Sequence, residues 1–222
     1  MLPEMTARFL FVREVPDVTD PVLRELVAGV ADNAEQALRA WHSGLRKIGD
    51  NTTDSVTRRR ADAEQLSAAV RPVLEQGTAE HLRLLRKKLD MSLPVLSKEV
   101  RHRLPKGTDP AEAREREREI RDHLRTIGND LKVRLIYLEA AEAGNQEVVR
   151  AVELAPSIAP LVDEDAIQEA AELYAAAQFP DAAAKLQEER AALVAAETTV
   201  NRAIATLDRG VDFEDFPALA AS

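Results

Sequence analysis

The chain has 222 residues, 45% hydrophobic, 31% charged and only 4% aromatic, with a net charge of −9. That length can bury a core without staples, and the balance of apolar and charged residues belongs to a globular chain rather than a disordered one. The lack of cysteine excludes disulfides, thiolate catalysis and cysteine-based zinc sites, and no apolar run approaches the ~20 residues of a membrane span.

Residues 1–18, "MLPEMTARFLFVREVPDV", read as an N-terminal arm. Its apolar run from Phe9 to Val12 is too short for the core of a signal peptide. Asp20-Pro21 then announces a helix, with an aspartate to cap and a proline at the first helical position, where its missing N–H costs nothing. Leu23, Leu26, Val30, Ala34, Ala37, Trp41, Leu45 and Ile48 form its stripe. Their spacing repeats every eleven residues and suits a nearly straight helix packed along its length. Gly49-Asp50-Asn51 ends it.

A second helix is predicted from about Thr53 to Met91, kinked or broken by Pro72 and Gly77. The basic segment from Ser92 to Gly107 reads as a short helix or turn followed by a connector. Asp109-Pro110 repeats the capping chemistry of Asp20-Pro21 and opens a third helix. That helix begins wholly charged ("RERERE"), then carries the stripe Ile120, Leu124, Ile127, Leu131, Leu135 and Leu138. Gly128 is its one weak point, and the pattern extends to Ala143. A short helix to about Leu154, another from Asp163 to before Pro180, and a last one from Pro180 to Arg209 follow. The last has Leu186, Leu193, Ala196, Val200, Ala203 and Leu207 at heptad spacing.

No strand–helix alternation appears, so the fold class is all-α: an extended bundle of long helices, each reaching ~40 Å, with non-helical terminal arms. The expected divisions are an arm at 1–18, a helical hairpin with its basic connector at 19–106, a helical bundle at 107–209 and an acidic, aromatic tail at 210–222.

The stretch "AAEAGNQEVVRAVELAP", Ala140 to Pro156, has the look of an ankyrin unit. It lacks the Thr-Pro-Leu-His turn before it and any partner unit about 33 residues away, and one isolated unit cannot bury its own face. It therefore reads as a corner between helices near 144–145, with Gly144 as the left-handed stop and Asn145 as the cap of the next helix. Residues 137–167 also resemble the helical corners of small accessory proteins encoded among tailed-phage virion genes.

Chemical constellations are sparse. His42, His81, His102 and His123 include no pair at i,i+3 or i,i+4, so no helical metal pair forms. The equal spacing of the last three is interrupted by Pro94, Pro105 and Pro110. No phosphate-binding glycine loop, nucleophile elbow or His-Glu-x-x-His motif is present. The expectation is a chain that is not an enzyme and holds no cofactor and no metal.

Charge is unevenly spread. Residues 1–106 hold 18 basic and 15 acidic side chains, residues 107–138 seven of each, and residues 139–222 five basic and 17 acidic. The basic excess gathers in Arg83, Arg86, Lys87, Lys88, Lys98, Arg101, Arg103 and Lys106. These are candidates for contact with phosphates or an acidic partner surface, at the level of the backbone only, because no aromatic stacking residues lie nearby. Four of the five phenylalanines, Phe9, Phe11, Phe213 and Phe216, fall in the two arms. Phenylalanine gains most when buried, so Phe9, Leu10, Phe11 and Val12 at one end, and Val211, Phe213, Phe216 and Leu219 at the other, are the candidate partner-binding residues.

These features together predict a structural or assembly protein acting by protein–protein association, as a homo-oligomer or as a component of a larger assembly such as a tailed-phage virion. It is expected in the cytoplasm when made, and in the virion where it assembles, with no role at a membrane. The alternative is a helical nucleic-acid-associated or regulatory adaptor.

Overall fold

The computed structural model describes residues 18–51 and 53–209. Among them are eight α-helices and no strand: α1 Pro21–Asp50, α2 Val56–Ser92, α3 Lys98–Arg101, α4 Pro110–Ile127, α5 Asp130–Glu142, α6 Gln146–Glu153, α7 Glu164–Gln178 and α8 Pro180–Asp208. A 3-10 turn, Leu93–Leu96, lies between α2 and α3. The fold is all-α. The described residues divide into two compact units, 18–88 with 188–209, and Leu89–Gln187, with the boundary inside α2 and inside α8.

In the first unit, α1, most of α2 and most of α8 share two apolar clusters. Asp20 accepts from the Val22 N–H at 2.7 Å, and Pro21 occupies the first turn as its residue type requires. The Glu188 carboxylate accepts the backbone N–H groups of Thr19 and Asp20, which fastens the start of α1 to α8. One cluster joins Trp41, Leu45 and neighbours of α1 to Ala63, Val70 and Leu74 of α2 and to Ala203 and Leu207 of α8. The other joins Leu23, Val27 and Val30 to Leu85 and to Ala192, Ala196 and Val200. Alanine at so many contacts lets the helices approach closely. At Gly29 the notch is deeper still, and the His81 ring fills the space a Cβ would need. Trp41 Nε1 donates to Ser67 Oγ at 2.8 Å, so the one buried indole N–H is satisfied.

The α2 helix runs unbroken through Pro72 and Gly77, where the sequence predicts a kink or break. Pro72 and Ala68, whose carbonyl loses its helical donor to the proline, are both exposed. Water can therefore take the place of the missing bond.

In the second unit α4, α5, α6 and α7 each begin on a side-chain cap. Asp109 accepts from Ala111, Asn129 from Lys132, Asn145 from Val148 and Asp163 from Ala166. The core joins Leu124 of α4, Val133, Tyr137 and Ala141 of α5, Val149 and Val152 of α6, and Ala166, Ala170 and Tyr174 of α7. The corner at 144–145 has the predicted form, with Gly144 at φ +67° and Asn145 capping α6.

The expectation for the third helix is also corrected. The helix predicted from Asp109 to Ala143 is two helices, because Gly128 adopts φ +62° and stops α4, and Asn129 caps α5. The break separates the leucine stripe that sequence periodicity joined. Leu124 enters the core, whereas Leu131 and Leu135 are 74% and 58% exposed.

Candidate functional site

The densest polar cluster surrounds Glu153, the last residue of α6. Val149 and Val152 turn α6 inward, and Glu153 follows Val149 by four residues, which places its carboxylate on the buried side. Arg101, the last residue of α3, donates through Nε to Oε1 at 2.7 Å and through Nη2 to Oε2 at 2.9 Å. Tyr137 of α5 donates its hydroxyl to Oε1 at 2.9 Å, and His102 Nε2 lies 2.8 Å from Oε2. Arg101 Nη1 donates to the Leu96 carbonyl. Gln146 donates to the carbonyls of Arg101 at 2.9 Å and Arg103 at 2.6 Å.

Burial by itself would raise the Glu153 pKa. Hydrogen bonds from His102 and Arg101, and the Arg101 charge, outweigh it and hold the carboxyl down at about 2. The Tyr137 hydroxyl is shifted the other way, by burial first and then by the Glu153 charge, and stays protonated. Each carboxylate oxygen of Glu153 has two polar partners, Arg101 and Tyr137 at Oε1 and Arg101 and His102 at Oε2. The cluster therefore acts as a clasp that holds the segment from Leu96 to Arg103 against α5 and α6.

A second buried pair lies on the α4–α6 contact. Arg150 Nε donates to Glu117 Oε1 at 2.8 Å, and Arg121 donates to the Ala151 carbonyl at 3.3 Å. Among the described residues no group of three or more His, Asp or Glu side chains is placed to hold a metal ion. A groove of about 280 Å³ is lined mostly by leucine, alanine and proline side chains, with Glu172 and Gln187 as its polar members.

The surface feature of the second unit is α5 itself. Val133, Tyr137 and Ala141 bury one face, and Leu131 and Leu135 stand on another, with Leu138 at the border of the core. Positions 131, 135 and 138 follow one another at helical spacing and make a single stripe. Leu154, Ile158 and Phe179 are also substantially exposed in this unit.

The eight cations singled out in the sequence are divided between the two units. Arg83, Arg86, Lys87 and Lys88 belong to the first unit, and Lys98, Arg101, Arg103 and Lys106 to the second. Arg83 pairs with Glu80, Arg86 with Glu197 and Lys88 with Asp20. Arg101 is buried in the Glu153 clasp and offers nothing to a phosphate. Lys98, Arg103 and Lys106 are exposed. Phe9, Leu10, Phe11, Val12, Val211, Phe213, Phe216 and Leu219 lie outside the described residues. Sequence reasoning missed Glu153, Tyr137 and Gln146, and it assigned Leu131 and Leu135 to a core stripe.

Fold and site together define an all-α helical protein whose main polar cluster is a structural clasp and whose α5 presents an apolar stripe. Compared with known proteins, the chain matches no family model, no curated protein and no solved structure. No helix among the described residues is long and apolar enough to cross a membrane.

Proposed function

We propose that the chain works by protein–protein association, as a non-enzymatic structural subunit of a multi-copy assembly such as a tailed-phage virion. The observation that carries this reading is the α5 stripe, where Leu131 and Leu135 are exposed on a well-capped helix whose other face is fully committed to the core. Neighbouring exposed leucines on a rigid element are the composition of a contact surface. The apolar residues of the terminal segments, Phe9 to Val12 and Val211 to Leu219, are proposed as further contacts. The nucleic-acid reading has no comparable support, since Arg101, in the middle of its basic segment, is internally paired.

Light scattering on the full chain across a wide concentration range tests the proposal, together with mixing against the products of neighbouring genes. A mass above that of the monomer, or a stable complex with such a product, is expected. A monomer at every concentration that binds none of them contradicts the reading.

A further inference from the structure

We infer that α5 pairs with the α5 of a second copy of this chain, antiparallel, with Lys132 of each copy facing Glu139 of the other. The inference rests on the association reading above and deepens it by naming the partner and the register.

The stripe of Leu131, Leu135 and Leu138 is flanked on one side by Lys132 and Glu139. These two charges are seven residues apart, so they stand on the same side of the stripe, one near each end of the helix. Both are exposed. The ion pairs of α5 within the unit run through Arg134 instead, to Asp163 at 3.2 Å and Glu169 at 2.9 Å.

A flank that is positive at one end and negative at the other complements itself under a two-fold axis. In the antiparallel arrangement Lys132 meets Glu139 of the second copy, and the axis repeats the contact. Opposed helix dipoles favour that arrangement. The self-complementary flank therefore fits a second copy of the chain, the dipoles favour the antiparallel direction, and the leucines supply the apolar seam.

The seam is short, since α5 has 13 residues and extends about 20 Å. One such contact is weak alone and gains strength when many copies are held together, which agrees with a multi-copy assembly.

Charge reversal tests the pairing on the full chain. Sedimentation equilibrium is run on the unmodified protein, on Lys132→Glu, on Glu139→Lys and on the double variant. Each single reversal sets like charges opposite one another at two symmetric places and is expected to weaken association by roughly 2- to 10-fold. The double variant restores opposite charges and is expected to return within about twofold of the unmodified protein. Both positions are exposed, so circular dichroism should report the same helicity and melting for each variant. Association that is unchanged by the single reversals, or weakened further by the double, overturns the α5 pairing and leaves the broader association reading standing. A monomeric unmodified protein overturns the pairing too, and the fate of the broader reading then rests on its binding to other gene products.

Discussion

The Arg101 guanidinium lies edge to edge with the Glu153 carboxylate, and their side chains are 3% and 1% exposed. The pair joins a four-residue helix to α6 across 52 positions of sequence, and Tyr137 and His102 complete the shell. Removing one member leaves the other charged and buried. Glu153→Gln should therefore lower stability by about 3–5 kcal/mol in urea unfolding. Replacing Arg101 and Glu153 together by methionine should cost less than the sum of the two single replacements. Additive losses would show that the two side chains do not act as a unit.

Acid should weaken this protein in a definite window. The Glu153 carboxyl sits at about 2 in the folded chain against an ordinary 4.5. A depressed carboxyl contributes stability that is fully present above the ordinary value and is lost as pH falls from 4.5 through 2. The contribution is about 3 kcal/mol. Urea midpoints measured from pH 6 to pH 2 should fall more steeply in the unmodified chain than in Glu153→Gln, which has no proton to bind at this position. Parallel slopes would contradict the assignment.

Gly128 and Gly144 hold the same left-handed conformation in different surroundings. A Cβ at Gly128 meets nothing within 4 Å, so Gly128→Ala should cost about 1 kcal/mol of backbone strain alone. A Cβ at Gly144 would run into the Gln178 amide, which donates to the Gly144 carbonyl at 3.2 Å. Gly144→Ala should lose that bond as well and cost about 1–2 kcal/mol more. Thermal melts of the two variants decide the order, and an equal loss would show that Gln178 yields at no cost.

These two glycines also mark how far the sequence could be read. Both stand in Gly-Asn dipeptides, and both dipeptides stop one helix and cap the next. The sequence reading recognised the second and took the first only as a weak point within one helix, because Ile120 to Leu138 keeps helical periodicity through Gly128. Periodicity cannot reveal that the phase of a stripe is lost when a chain reverses into a new helix, so Leu131 and Leu135 looked like core. The caps at Asp20, Asp109, Asn145 and Asp163 were legible because each acts within three residues of itself. Arg101 was not. Its burial depends on Glu153 and Tyr137, which no local pattern connects to it. Glu153 did leave one trace, its i,i+4 relation to Val149 on a short amphipathic helix. The Pro72 result has a similar cause, since a proline on an exposed helix face is tolerated where the same residue facing a core would not be.

The most direct test of the account replaces the two exposed leucines. Sedimentation velocity on Leu131→Gln with Leu135→Gln in the full chain, against the unmodified protein, reads association, and a thermal melt of the same samples reads folding. The account predicts that the concentration-dependent rise in sedimentation coefficient disappears while the melting temperature stays within the range of a surface change, about 0.5 kcal/mol. Unchanged association would contradict the claim that α5 is a contact surface. A large loss of melting temperature would contradict it too, by returning the leucines to the core.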